Sequence, residues 1–152
     1  MSKLMDEDKA IDFGRLPDYL GYQVRQAQTA VFRDFARLMK DVGVTPGEFS
    51  LLTLLQANPG INQISLTRVY QLDKSTLSHA INGLKLRRLL RRTRNRSDKR
   101  YYSLWLTDVG REVLKRATER VEAQERAMDA VLRKGERTQM LDQLKRISRA
   151  FD

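Results

Sequence analysis

Cysteine is absent from the sequence, and histidine occurs only once, as His79. The absence of cysteine excludes disulfides, thiol catalysis and cysteine metal sites, and it suits a reducing compartment. A single histidine without cysteine disfavours both a transition-metal site and a catalytic dyad. The sequence therefore predicts no metal and no cofactor.

Long apolar runs are also missing. No segment approaches the roughly 18 apolar residues that a membrane-spanning helix requires. The opening segment MSKLMDEDKAIDFGRLP mixes both charges and lacks the apolar core of a secretion signal. We therefore expect a cytoplasmic protein that does not associate with membranes. Glycine-rich phosphate loops and nucleophile elbows are absent too, which favours a protein that is not an enzyme.

Acidic residues are scarce in one particular segment. The chain carries a formal charge of +10, but residues 85–100 contain nine basic side chains and one acid, Asp98, so that this segment alone carries +8. The rest of the chain is nearly neutral. A concentrated cationic segment is typical of a binding site for a polyanion, such as a nucleic acid. The alternative is a solvated face that only improves solubility.

The spacing of apolar residues predicts mostly helix. From residue 20 to 38 they recur every three or four positions, as on one face of a helix. The segment TPGE, residues 45–48, places glutamate three positions after a capping threonine, which predicts the start of a second helix. A short helix follows, and Asp73 is the expected N-cap of the next one. Two further helices are expected after Thr107 and after Gly135.

Between these helices lies a strand-like segment. Tyr102, Leu104 and Leu106 alternate with more polar neighbours, which is typical of a half-buried strand. With the turn-like residues 95–99, this pattern predicts a hairpin of strands near 89–94 and 100–106. We expect Tyr102 in the core and Trp105 at the base of the hairpin. The fold class is therefore mainly α with a small β-hairpin wing, which is a winged helix-turn-helix lobe plus a helical region.

Three segments resemble the MarR family of bacterial transcription regulators. Residues 98–110 match the pattern D-x-R-x-x-x-L-x-L-T-x-x-G, LDKSTLSHAINGL resembles the recognition helix, and TPGEFSLLTLL resembles the helix before it. The resemblance covers roughly residues 17–132. One position departs from the family, because Arg88 stands where glycine usually follows the recognition helix. Arginine adopts a left-handed backbone conformation only at a cost.

The resemblance implies a homodimeric, sequence-specific DNA-binding regulator, a repressor released by a small effector. It implies a dimerisation helix over 17–43, a winged helix-turn-helix domain over 44–106, and C-terminal dimerisation helices over 107–152. Residues 1–16, which precede the helical periodicity, are expected to form an N-terminal arm. Two such lobes would read a palindromic operator in double-stranded DNA. The alternative is a nucleoid-type or RNA-binding protein that uses its basic wing without sequence preference.

The candidate DNA-binding residues lie on the predicted recognition helix and wing. They are Lys74, Ser75, Thr76, Ser78, His79, Asn82, Lys85, Arg94, Arg96, Asp98, Lys99 and Arg100. Hydroxyl groups at a helix N-terminus suit phosphate, whereas His79 and Asn82 can reach base edges. We expect Arg96 to enter the minor groove and Asp98 to hold Arg100. The alternative is an ordinary polar helix face and solvated arginines.

The candidate effector-binding residues are Arg25, Phe32, Phe35 and Phe49. The segment LGYQVRQAQTAVFRDF is similar to a subgroup of the family that responds to aromatic acids or their coenzyme A esters. That similarity favours an aromatic carboxylate or its coenzyme A ester as the effector, with Arg25 as the carboxylate partner. The alternative for the three phenylalanines is packing in the core.

Overall fold

A computed structural model describes residues 11–70 and 74–152, without the side chain of Lys74. In chain order the elements are a 3-10 turn Leu16–Asp18, α1 Leu20–Leu38, α2 Pro46–Ala57, β1 Ile61–Asn62, α3 Gln63–Tyr70, α4 Lys74–Leu86, β2 Leu90–Arg94, β3 Tyr102–Leu106, α5 Asp108–Asp129 and α6 Glu136–Arg149. The mainly helical fold with a small sheet confirms the predicted class. The predictions for Asp73 and for residues 1–10 fall outside the described residues.

The chain divides into two units at Asp34, inside α1. The first unit contains the 3-10 turn and most of α1, on which Leu20, Val24 and Phe32 are exposed. The second unit runs from Phe35 to Asp152 and contains every other element. Within the described ranges, no helix is both long enough and apolar enough to cross a membrane.

The main core lies where α2, α3, α4, α5 and the sheet meet. Its buried members are Leu51, Leu52, Leu55, Leu66, Leu77, Ile81, Leu84, Leu89, Leu90, Leu104, Leu106 and Leu114. Burying one such side chain contributes about 1.5–3 kcal/mol before entropy is counted. Leucine therefore dominates the packing that holds α4 against the sheet.

Three antiparallel strands form the sheet in the order β1-β3-β2. In the β2–β3 pair, Leu90 lies opposite Leu106 and Arg94 lies opposite Tyr102. In the β1–β3 pair, Ile61 lies opposite Leu104. The hairpin was predicted from alternation, but β1 was not, because its two residues are too few to show a period.

Helix starts follow the predicted caps. Thr45 Oγ1 accepts a hydrogen bond from the Glu48 N–H at 3.1 Å, and Glu48 Oε2 accepts one from the Thr45 N–H at 3.1 Å. This reciprocal pair is the capping box read from TPGE. At the start of α5, Thr107 Oγ1 accepts from the Gly110 N–H at 2.9 Å. Gly135 precedes α6 with a φ of 85°, a left-handed conformation that fits the helix break expected there.

The start of α5 is also attached to the turn that follows α4. The Thr107 hydroxyl donates to the Arg88 carbonyl at 2.7 Å, and the Thr107 N–H donates to the Leu89 carbonyl at 3.1 Å. At Gly110, a Cβ atom would lie 2.0 Å from the Leu89 carbonyl oxygen. The T-x-x-G part of the motif therefore fixes the base of the wing against the end of α4.

Candidate nucleic-acid interface

The recognition helix α4 has one buried face and one exposed face. Leu77, Ile81 and Leu84 are fully buried in the core. Most of the candidate polar residues lie on the opposite side and are exposed: Ser75, Thr76, His79, Asn82 and Lys85. Ser78 is half-buried instead, at the edge of a crevice between α4 and the wing. The structure thus places these candidate side chains together around one polar surface.

The recognition helix ends in a Schellman motif centred on Arg88. The Leu89 N–H donates to the Leu84 carbonyl at 3.0 Å and the Arg88 N–H donates to the Lys85 carbonyl at 2.9 Å, which is the pair of bonds that defines this motif. Arg88 has a φ of 60° and is the one non-glycine residue with a positive φ in residues 11–70 and 74–152. The family turn is therefore kept, and arginine occupies its left-handed position at a conformational cost.

The tip of the wing is organised by Asn95 and Asp98. Asn95 Oδ1 accepts from the N–H groups of Ser97 and Asp98 at 2.9 and 3.1 Å. Asp98 forms an ion pair with Arg100, in which Nη2 lies 2.7 Å from Oδ2 and Nε lies 3.0 Å from Oδ1. Hydrogen bonds from the Arg100 side chain and backbone hold the pKa of Asp98 below its ordinary value. The structure agrees with the expectation that Asp98 holds Arg100, whereas Asn95 was not singled out, although asparagine is a common turn residue.

The prediction that Tyr102 belongs to the core was wrong. Its side chain is half-buried, and two guanidinium groups lie over its ring, that of Arg92 at 4.3 Å and that of Arg94 at 5.7 Å from the centroid. The Arg94 hydrogen bond and the positive charges of Arg94 and Arg92 lower the pKa of the Tyr102 hydroxyl. Tyr102 lies on the core side of the sheet, but its position in the strand is beyond the apolar part of that face.

The opposite face of the sheet carries Trp105, as expected for the base of the wing. The indole Nε1 donates to Thr93 Oγ1 at 2.9 Å, and the Arg91 guanidinium lies 5.1 Å from the ring centroid. Arg91 and Arg92 are neighbours in β2, so their side chains point to opposite faces. Each arginine is therefore held by its own aromatic ring, one on each side of the wing.

Four cations of the wing are accessible to solvent. Arg94, Arg96, Lys99 and Arg100 are all exposed, in or next to the loop that joins β2 to β3. Exposed arginine and lysine close to an exposed polar helix form the electrostatic surface that DNA requires. This arrangement agrees with the placement expected from the sequence, whereas DNA contact by each residue stays a prediction.

Arg87 joins the end of the recognition helix to the start of α2. Its Nη2 donates to the Gly43 carbonyl at 2.7 Å, and its Nη1 lies 3.2 Å from Glu48 Oε2. On the other side of the same turn, Asp41 Oδ2 accepts from Arg120 of α5 at 3.0 Å. Residues 41–48 are thus attached both to α5 and to the recognition helix. No sequence pattern indicated this link, because its partners lie far apart in the chain.

The four candidate effector residues have different environments. Arg25 and Phe32 lie in the first unit, where both are exposed on α1. In the second unit, the rings of Phe35 and Phe49 meet edge to face with centroids 6.3 Å apart. They belong to a small cluster with Met39, Val42 and Ala117. The alternative of core packing therefore holds for Phe35 and Phe49, and an effector role for any of the four stays a prediction.

An exposed polar recognition helix next to an arginine-rich hairpin defines this chain as a winged helix-turn-helix DNA-binding protein. The model of the MarR family matches residues 42–100. A protein of Thauera aromatica, the candidate transcriptional regulator for the hcr operon, is 34% identical over 137 residues, which cover 90% of this chain and 82% of that protein.

Solved structures agree with this assignment over almost the whole chain. The transcriptional repressor CouR bound to a 23-mer DNA duplex has a TM-score of 0.86 and 36% identity, covering 91% of this chain and 98% of CouR. CouR bound to p-coumaroyl-CoA has a TM-score of 0.85 and 34% identity, covering 93% and 99%. The chain belongs to the MarR family and is a transcription regulator.

Proposed function

We propose that this regulator is a homodimeric repressor that binds a palindromic operator and is released by a small anionic effector. The observation that carries the proposal is the exposed polar face of α4 beside the cationic loop of the wing. The similar repressor CouR has been solved on a DNA duplex, which supports the same use of this surface. Such a regulator works where the bacterial chromosome lies, in the cytoplasm.

In this proposal α4 and the wing bind adjacent grooves of the DNA. His79 and Asn82 face base edges in the major groove, where donor and acceptor patterns distinguish all four base pairs. Ser75, Thr76 and Ser78 lie in the first part of α4, where hydroxyl groups and the helix N-terminus suit phosphate. Lys74, Lys85 and Lys99 add charge, and Arg94, Arg96 and Arg100 approach the minor groove, whose negative potential attracts arginine.

Exposed apolar stripes support the dimer. The large apolar side chains exposed on α6 and the end of the chain are those of Met140, Leu141, Leu144, Ile147 and Phe151. A contiguous apolar face of this kind is rare on a monomer and marks a protein interface. We therefore assign dimerisation to the helices in residues 107–152, together with the exposed stripe of α1 in residues 17–43.

A pair of substitutions on α6 tests the dimer. Leu144→Asp places a charge in the apolar stripe, and Arg149→Asp places the same charge on the opposite side of the helix. Sedimentation should show a dimer for the wild type and for Arg149→Asp at micromolar concentration, and a monomer for Leu144→Asp. A wild-type monomer near its 17.7 kDa chain mass would contradict the proposal.

Selection of bound duplexes from a random DNA pool tests the operator. Two lobes related by a two-fold axis should select an inverted repeat, with half-sites about 10 base pairs apart from centre to centre. A nucleoid-type protein is the second candidate, because a segment of charge +8 binds any nucleic acid. That function would give no enriched sequence and little difference between specific and competitor DNA.

A ligand panel tests the effector. CouR has been solved with p-coumaroyl-CoA, which supports an aromatic acid or its coenzyme A ester as the class of effector here. Binding should weaken operator affinity by a coupling free energy of about 1–3 kcal/mol. The panel should contain p-coumaroyl-CoA, p-coumarate and free coenzyme A, so that the acyl and nucleotide parts are separated. If no member shifts the DNA titration, this effector class is wrong.

A further inference from the structure

A crevice of about 270 Å³ lies between α3, α4 and the inner face of the wing. Gln63 and Ile64 of α3, Ser78 of α4, and Arg92, Arg100 and Tyr102 of the wing line it. Of these residues, only Ser78 and Arg100 were candidates from the sequence. The crevice therefore contains one predicted cation, Arg100, and a second cation, Arg92, that the predicted contacts do not include.

Both cations in the crevice are held in place before any ligand binds. The Arg92 guanidinium lies 4.3 Å from the Tyr102 ring centroid, and Arg92 is half-buried. Arg100 is held by the bidentate contact with Asp98. A guanidinium that is stacked or paired on one side keeps other N–H donors for an anion, and little side-chain entropy remains to be lost on binding.

Gln63 is independent evidence that the crevice accepts a polar group from outside the chain. Its Oε1 atom is buried and, among the described residues, has no hydrogen-bond partner. Buried polar atoms are almost always satisfied in folded proteins, so an orphaned one needs an explanation. A group from outside the chain would supply one, and an anion, which has no hydrogen to donate to Oε1, would do so through a bridging water. Rotation of the amide would instead turn its NH2 donors to that group.

The position of the crevice indicates which anion it takes. One sugar–phosphate strand separates a major groove from the adjacent minor groove. A lobe that places α4 in the first and the wing in the second must straddle that strand, and the crevice lies between these two elements. We infer that the crevice binds one phosphate of the DNA backbone in each half-site, with Arg92 as its anchor. This inference rests on the DNA binding proposed above.

The same geometry gives the wing two unequal faces. Arg91 and Arg92 carry the same charge, are adjacent in β2, and each lies over an aromatic ring, Trp105 or Tyr102. Only Arg92 lines the crevice, whereas Arg91 lies on the opposite face with Thr93 and Trp105. Arg91 is therefore a matched control for the loss of one positive charge from the wing.

Titrations of a selected operator at several salt concentrations test the inference. Arg92→Ala should weaken binding roughly ten-fold or more per half-site and lower the salt slope by about 0.9 per subunit. Arg91→Ala should lower the affinity and the salt slope by less than half as much as Arg92→Ala does. Tyr102→Phe should keep the affinity because the ring remains, whereas Tyr102→Leu should lose part of it. If Arg92→Ala melts at the assay temperature, Arg92→Lys and Arg91→Lys replace it: lysine keeps the charge but loses the planar guanidinium, so Arg92→Lys alone should lose affinity, with the salt slope unchanged.

Replacing single phosphates by uncharged methylphosphonates identifies the contact. In the wild type, neutralising the phosphate in the crevice should lower operator affinity. In Arg92→Ala, neutralising that phosphate should no longer change the affinity, and this should hold at that position alone in each half-site. Equal losses of affinity in Arg91→Ala and Arg92→Ala would overturn the inference while leaving DNA binding intact. So would an Arg92→Ala protein that loses affinity at every methylphosphonate position at which the wild type does. Failure of the wild type to bind any selected duplex would instead overturn the proposed function, and this inference with it.

Discussion

Asp98 and Arg100, two residues apart in the wing loop, are joined by both their side chains and their backbone. Besides the bidentate ion pair, the Arg100 N–H donates to Asp98 Oδ1 at 3.0 Å. The Arg100 side chain is nevertheless 81% exposed. The carboxylate therefore fixes the direction of a solvent-exposed guanidinium, which would otherwise sample many rotamers.

This relationship predicts an effect opposite in sign to simple electrostatics. Asp98→Ala removes a negative charge from a DNA-binding surface, yet it should weaken operator binding by roughly two- to ten-fold, because Arg100 must then be ordered on binding. Glu122→Ala removes an exposed acid from α5 and should leave affinity unchanged or slightly higher. Anisotropy titrations of both variants decide the matter. Tighter binding by Asp98→Ala would show that Asp98 does not organise Arg100 for DNA.

Wing and recognition helix should differ in what they read. Arg96→Ala should weaken binding to all sequences about equally and lower the salt slope by about one counterion per subunit, because minor-groove and phosphate contacts carry little base identity. Asn82→Ala should leave the slope nearly intact and relax preference at one or two positions per half-site, by about 1–3 kcal/mol. Titrations of operator variants at two salt concentrations separate these results. A sequence-selective defect in Arg96→Ala would mean that the wing reads bases.

Arg88→Gly should stabilise the fold by about 1 kcal/mol. Left-handed backbone costs an L-residue roughly 1–2 kcal/mol, and the greater freedom of glycine in the unfolded chain offsets part of that gain. Chemical denaturation measures the change in unfolding free energy. Arg87→Gly, one residue earlier, is the control and should destabilise, since Arg87 contacts Gly43 and Glu48. A less stable Arg88→Gly protein would show that the arginine side chain makes a compensating contact.

Gly110→Ala should destabilise the protein, although alanine is the better helix former. The added methyl group would lie 2.0 Å from the Leu89 carbonyl oxygen, which is backbone and cannot move away alone. We expect a loss of about 1–3 kcal/mol, the usual cost of forcing extra volume into a packed site. Gly83→Ala in the middle of α4 meets no atom within 4 Å and should be neutral or stabilising. Equal thermal melting of the two variants would contradict the close contact.

Local patterns predicted the parts of this fold that depend on local chemistry. The caps at Thr45 and Thr107, the break at Gly135 and the hairpin around residue 97 all arise from neighbours within a few positions. The cost at Arg88 was also visible, because one residue type is preferred at that turn. Alternation predicted the face of Tyr102 correctly but not its depth, since burial depends on how far the helices extend along the sheet.

The crevice and the Arg87 contacts could not be predicted in this way. Gln63, Ser78 and Arg92 come from three separate elements, and their meeting requires the tertiary fold. Arg87 reaches Gly43 across 44 positions of the chain. Charge composition indicated that the wing binds a polyanion, but only the β2–β3 register shows which arginines face the recognition helix.

That register also restricts how the wing can change length. Side chains alternate along β2, so deletion of Arg91 would place Leu90 and Arg92 on opposite faces of the sheet. Either Arg92 would leave the face of the crevice or Leu90 would leave the core. An insertion in the loop between Arg94 and Tyr102 leaves the alternation untouched. In descendants of this sequence, length variation should therefore accumulate at the tip of the wing, while the strands below it change by substitution alone.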